Sequence, residues 1–508
     1  MRRRVSGLDV EVDVLSLPVS VAAFITPESA ARHLKGRTME GYDLILLPGT
    51  VRGDVSPVEE ATGVATFKGP SDVNELPLVI ELLGEIELSK TVSATGLIRG
   101  HQSERALDEI RRVEEDWRRL LEEQGGFIIG GDGHEVPVGV AFPMRVIAEI
   151  VNAPALDLEA VSRRAAYYES EGADIIDIGM LAGDPRPEAV KGLVEAVRSS
   201  VRLPVSIDTL DPREIEAAVG AGIDLVLSVD RGNLEEVAPY VRDVPVVVLP
   251  SDMGRGFLPG TAEERLIAMM ENLLLAGNLG VGKVIADLVL EPALKPGLFE
   301  SLKAYHLFRL TDEVTPVLFG LGNVTELIDA DSPGVNGLLA ALACEVGADL
   351  LFVPEYSSKA RGSVRETVTA SRMMFLARRR EKPPKDLGLD LLLLKEKKWT
   401  ESPYDGEDEA SVEVLEAQED EEFVMDAKGW FVIRIDRESD LIVATHYQEG
   451  DRPDVAVKGR VAREIYQTIL RRGLVGKYDH AAYLGKELAK AELALRLGRS
   501  YIQDGDLF

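Results

Sequence analysis

Glu171-Gly172-Ala173-Asp174-Ile175-Ile176-Asp177-Ile178-Gly179 sets the pattern for the middle of this chain. A helical stretch ends on a glycine, a short β-branched run follows, and a carboxylate interrupts it. Seven more such runs recur: Val146–Val151, Val205–Ile207, Leu225–Val229, Val244–Leu249, Val284–Ala286, Val317–Leu321 and Leu350–Val353. Helical stretches lie between them, among them Leu156–Gly172, Arg186–Ser200, Pro212–Gly222, Thr261–Leu279 and Pro333–Gly347. Short apolar strands alternating with helices imply a parallel sheet. Eight such units in about 240 residues fit a (β/α)8 barrel. A doubly wound open sheet is the competing arrangement.

Working outward, the 508-residue length calls for more than one domain. The expected fold class is α/β: a TIM barrel over 126–385, a small N-terminal α/β domain over 1–125, an acidic linker over 386–422 and a C-terminal α+β domain over 423–508. Thr26-Pro27-Glu28 reads as a helix start, Asp13–Ile25 as extended, and Asp43–Pro48 as a strand. Ser103–Gln124 reads as a charged helix, and Phe127–Val140 as a hairpin around Gly-Gly-Asp-Gly. Gly429–Ile435 and Leu441–Tyr447 read as strands, with helices near Arg460–Arg471 and His480–Arg496.

Composition excludes several classes. The 87 acidic and 57 basic side chains give a formal charge of −30, opposite to the basic footprint of nucleic-acid binders. Glu401–Glu422 holds eleven acidic residues and no Lys or Arg, a self-repelling segment that reads as a solvated linker. No apolar run is long enough for a bilayer, and no apolar stretch follows the basic N-terminus, so a cytoplasmic protein is expected. The single cysteine, Cys344, lies in an apolar stretch and reads as a small core residue.

In such a barrel the chemistry lies where strands end and βα loops begin. The polar residues there are Asn152, Asp177, Asp208 with Thr209, Ser228 with Asp230, Ser251 with Asp252, Asp287, Asn323 and Glu355. Asn, Asp and Ser also cap helices and make turns, which is the plainer account of Ser251 and Asp252. None of the six histidines falls at a barrel strand end, which disfavours a His-ligated metal or a Ser-His triad. A ring of carboxylates and amides suits a neutral heterocycle rich in N–H donors.

Ser206-Ile207-Asp208-Thr209 and Gly172–Gly179 resemble the pterin-binding superfamily of dihydropteroate synthases and methyltetrahydrofolate–corrinoid methyltransferases. The resemblance implies that Asp208 and Asp287 hold the pterin ring, with Asp177, Ser228 and Asn323 beside it. It further implies a Mg2+ ion near Asn152 and a homodimer. Other stretches depart from the synthase pattern. Met180–Pro187 replaces the diphosphate-binding loop, while Leu227 and Val324 replace its Asn and Lys. Gly320–Thr325 is closer to the methyltransferases.

The layout as a whole resembles the dihydropteroate synthase-related proteins of archaea and methylotrophs. Leu46–Gly49, Tyr356–Glu366 and Asp479–Leu488 carry that likeness. In this reading Lys359, Arg361 and Arg365 clamp a diphosphate, with Asp208, Lys359 and Arg361 catalytic and Arg186 available to a phosphorylated second substrate. The implied reaction joins a dihydropterin methyl diphosphate to an arylamine, as in folate or tetrahydromethanopterin-type cofactor synthesis. Methyl transfer to a corrinoid and non-catalytic pterin binding are the other readings.

Overall fold

The computed structural model describes residues 10–18, 25–71, 73–131, 133–397, 412–417 and 424–508. Most of the acidic segment Glu401–Glu422, and Asp132 of the hairpin turn, lie outside them. The chain divides into two compact units: Met1–Tyr356 with Gly362–Leu393, and Ser357–Arg361 with Leu394–Phe508.

The first unit is built on the barrel. Its strands are β1 (Arg145–Ile150), β2 (Ile175–Gly179), β3 (Val205–Asp208), β4 (Leu225–Val229), β5 (Val246–Val248), β6 (Val284–Ala286), β7 (Leu318–Gly320) and β8 (Leu350–Pro354). All neighbours pair in parallel, with β1 against β8, and an Ala286–Val317 bridge closes β6 onto β7. The helices outside are α1 (Leu158–Ser170), α2 (Pro187–Ser200), α3 (Pro212–Gly220), α4 (Leu234–Val237), α5 (Ala262–Asn278), α6 (Leu298–Thr311), α7 (Ser332–Glu345) and α8 (Ser363–Arg379).

Local chemistry explains where helices start. Asp157 and Asp211 accept backbone N–H groups at the first turns of α1 and α3, and Thr261 with Glu264 forms a capping box on α5. Pro187 and Pro212 occupy first turns that need no N–H.

Side chains alternate along each strand, so one set fills the barrel and the other meets the helices. The interior set forms one buried cluster: Ile147, Ile175, Leu225, Leu227, Val247, Ile285, Leu318 and Leu350. Ile129 and Val138 belong to the same cluster. They come from the antiparallel hairpin Phe127–Ile129 and Val136–Val138, which covers the N-terminal end of the strands. Arg145, buried at the start of β1, ties it down by donating from Nε to the Pro137 carbonyl (2.7 Å), and also pairs with Glu114 and Asp174.

The N-terminal part forms the expected parallel α/β unit. Ile45–Leu47 pairs with Thr66–Lys68, and the helix Pro27–Leu34 is capped by Thr26. Residues 13–18 carry no strand, and 19–24 of the expected extended stretch lie outside the described residues. The charged helix begins earlier than expected, as Ala94–Glu115, and breaks at Asp116 before Trp117–Gln124. Ala106, Ile110 and Val113 on it pack with Phe375 and Leu376 of α8. Cys344 is half-buried on α7 rather than enclosed in the core.

The second unit contains antiparallel strands β9 (Trp430–Asp436), β10 (Leu441–Tyr447) and β11 (Val455–Gly459), with α9 (Ala462–Arg471) and α10 (Tyr478–Leu497). Phe431, Ile433, Ile442, Ile465 and Leu488 form its core. Asp426 takes hydrogen bonds from the backbone N–H groups of Lys428, Gly476 and Lys477 and pairs with His480 Nδ1 (2.9 Å). These bonds hold its carboxyl well below the usual range despite burial. His480 is thereby part of the anchoring of α10.

Candidate functional site

The interior positions at the C-terminal end of the barrel change character abruptly. Two residues beyond Ile147 stands Glu149; two beyond Ile175 stands Asp177; two beyond Ile285 stands Asp287. Ser206 and then Asp208 occupy the same face of β3. Register sets Glu149 opposite Asp177, and Gly179 opposite Asp208. A barrel plugged with aliphatic side chains at one end is thus lined with carboxylates at the other.

Glu149, Asp177 and Asp208 offer oxygens within 4.8 Å of one another. Asp177 is fully buried, and its Oδ1 accepts from Ser206 Oγ at 2.6 Å. Its Oδ2 has no partner. Burial, with the nearby charges of Asp208 and Glu149, holds the Asp177 carboxyl well above its ordinary range. Burial and then Asp208 push Glu149 up to about 8, while burial and then Asp287 push Asp208 up to about 7. Without a ligand, the cluster is therefore partly protonated near neutrality.

Asp287 sits on a firmer mount. Its Oδ1 accepts from Tyr305 Oη at 2.6 Å and from the Val289 N–H at 2.8 Å. Burial raises its pKa, and these bonds with the Arg265 charge oppose the rise. Arg265 is itself fully buried, paired with Glu291, and donates to the Val289 carbonyl at 2.8 Å and Ser301 Oγ at 3.0 Å. It fastens the loop that follows β6.

The other expected residues divide into groups. Ser228 is buried at the end of β4. Asp230 serves its own loop, accepting from Ser251 Oγ, the Met253 N–H and the Gly232 N–H at 2.7–2.8 Å. Asn323 is exposed, and its amide donates to the Leu290 carbonyl at 2.8 Å, so it braces the β6 loop. Asn152 adopts the left-handed conformation (φ 52°) after β1, and its carboxamide makes no hydrogen bond among the described residues. Glu355 accepts from the Val364 N–H and from Tyr167 Oη, holding the first turn of α8.

The three cations fall in different units. Exposed Arg365 pairs with Glu171 at 3.5 Å within the first unit. Arg361 pairs with Asp440 at 3.2 Å within the second, to which Lys359 also belongs. Arg186 is exposed and paired with Asp184 at 2.6 Å.

Glu149, Tyr305 and Arg265 were not singled out from the sequence. For Glu149 the signal was available: it follows Ile147 at strand spacing, on the face that fills the barrel. Tyr305 and Arg265 lie on helices, and nothing local marks them.

Comparison with known proteins places these features in a family. A family model described as "Pterin binding enzyme" matches residues 152–350. The model PterinBD-DUF4346 matches 425–504, and a family of unknown function, DUF6513, matches 3–71. The uncharacterized protein MJ0107 of Methanocaldococcus jannaschii is 39% identical over 512 residues, covering 98% of this chain and 94% of that protein. A Ycf91-like protein of Nostoc is 33% identical over 106 residues, covering 16% of this chain and 84% of its own length.

Among solved structures, dihydropteroate synthase of Xanthomonas albilineans matches at 23% identity and TM-score 0.40, covering 48% of this chain and 95% of that one. The Yersinia pestis enzyme matches at 20% identity and TM-score 0.40, covering 50% and 100%. With identity to MJ0107 sustained over nearly its whole length, and the pterin-binding model lying across its barrel, the chain belongs to one family with MJ0107, a family whose (β/α)8 barrel carries the pterin-binding pattern.

Proposed function

We propose that the protein is a pterin-binding transferase that joins a dihydropterin methyl diphosphate to an arylamine. The observation that carries the reading is the pair Asp208 and Asp287, placed by β3 and β6 on one interior face of a barrel from a pterin-binding family. An aminopyrimidinone presents adjacent N–H donors, and buried carboxylates accept them in charge-assisted bonds. Asp287 is oriented in advance by Tyr305 and Val289, so little ordering remains to be done on binding. In the reaction the arylamine nitrogen forms a bond to the pterin methylene carbon. The carbon–oxygen bond to diphosphate breaks, diphosphate leaves with the electron pair, and the new ammonium loses one proton.

In this reading Asn152 is the residue assigned to Mg2+, its carboxamide oxygen being one hard ligand. Bound there with a diphosphate, the ion would neutralise charge on the leaving group. Arg361 and Arg365 of the expected clamp each pair with a carboxylate of their own unit. The methyltransferase reading rests on Asn323, one N–H of which already donates to the Leu290 carbonyl. Non-catalytic binding is told apart by turnover.

The test is calorimetry with 6-hydroxymethyl-dihydropterin diphosphate, followed by turnover with 4-aminobenzoate. Asp208→Asn is expected to weaken the pterin at least about a hundredfold, some 3 kcal/mol for a buried charged hydrogen bond. Unchanged affinity would sink the site. Tight binding without product would leave a binding protein.

A further inference from the structure

Glu149, Asp177 and Asp208 present oxygens close enough to share one ion. In an octahedral shell with bonds of about 2.1 Å, ligand oxygens lie roughly 3.0 Å apart when adjacent and 4.2 Å when opposed. The 4.8 Å limit on the three separations lies a little above that range. Proximity of carboxylates alone would decide nothing, but two further features point to a ligand.

Asp177 Oδ2 accepts no hydrogen bond although the side chain is fully buried and Ser206 satisfies Oδ1. A buried acceptor left in this state costs free energy that a bound ligand recovers. Gly179, the interior residue of β2 nearest the mouth, also leaves open the space into which Glu149 leans. A Cβ there would lie 2.3 Å from Glu149 Oε1. Among the described residues, no Lys, Arg or His pairs with any of the three carboxylates. The barrel therefore brings three carboxyl groups together without supplying a basic side chain to pair with them.

We propose that Glu149, Asp177 and Asp208 form a divalent-cation site of the magnesium or manganese class, at the inner end of the barrel mouth. Three hard oxygen donors with no nitrogen or sulfur favour these ions over zinc or copper. The site does not involve Asn152; it shares Asp208 with the pterin reading, but the observations that carry it are those of the carboxylates themselves.

The experiment titrates Mn2+ into EDTA-dialysed full-length protein at pH 7.5, followed by electron paramagnetic resonance and by melting temperature. One bound ion per chain is expected, with a rise in melting temperature. Glu149→Gln and Asp177→Asn should each weaken binding at least about tenfold and abolish the rise. Glu271→Gln, outside the cluster, should leave both unchanged. Should Asp177→Asn fail to fold, Glu149→Gln decides. Absence of stoichiometric Mn2+, or wild-type affinity in the folded variants, overturns the proposal. Because no pterin is present, such a failure leaves the pterin reading standing; titrating the pterin in EDTA tests that reading alone.

Discussion

Glu149 is the residue at which the site departs most from what its own strand suggests. Inside Arg145-Val146-Ile147-Ala148-Glu149-Ile150 it resembles an ordinary polar interruption, and only its spacing from Ile147 marks it as interior. Asp208 and Asp287 were legible because each directly follows a short apolar run. The pairing of Asp177 with Ser206 was not, because it depends on the register between two strands. A carboxyl whose pKa is higher in the folded chain than in the unfolded one keeps its proton in the native state. Its contribution is therefore complete at low pH and lost as pH rises. For Glu149 the window runs from its ordinary 4.5 to about 8, with a slope of at most about 1.4 kcal/mol per pH unit for each proton. In EDTA the urea midpoint should fall between pH 5 and pH 8, and Glu149→Gln should flatten that fall. An equally steep decline in the variant would remove Glu149 as its cause.

At the scale of elements, the barrel strands were readable as short continuous apolar runs between helices, since strands such as β2 and β4 are buried on both faces. The edge strand β11 was missed because Val455, Ala456 and Lys458 are largely exposed and print no buried face on the sequence. Loops were harder for another reason: their anchors are distant. Arg265 on α5 holds the loop after β6 through Glu291, Val289 and Ser301, up to 36 residues away. Removing a buried ion's partner strands the other charge. Arg265→Met should therefore cost about 3–5 kcal/mol in chemical denaturation. The double variant Arg265→Met/Glu291→Leu should recover much of that loss. A loss below about 1 kcal/mol in the single variant would mean that the pair does not secure the loop.

For the whole molecule, a (β/α)8 barrel with added N- and C-terminal parts was legible in the order of apolar runs, and MJ0107 matches across 98% of the chain. Ser357–Arg361, a loop between β8 and α8, groups with residues beyond Leu394, and a segment boundary of that kind has no compositional signature. Nor did composition disclose that two of three expected clamp cations have carboxylate partners. Among the described residues no helix is long and apolar enough to cross a membrane.

The Phe127–Val138 hairpin, with Ile129 and Val138 seated among the interior side chains, has a kinetic meaning as well as a packing one. A barrel stoppered at one end has a single doorway, so whatever sits deepest must arrive first and depart last. If the pterin occupies the carboxylate floor, steady-state kinetics should be compulsory-order, pterin leading, and an arylamine analogue should inhibit uncompetitively against it. Random-order kinetics would require a second way in.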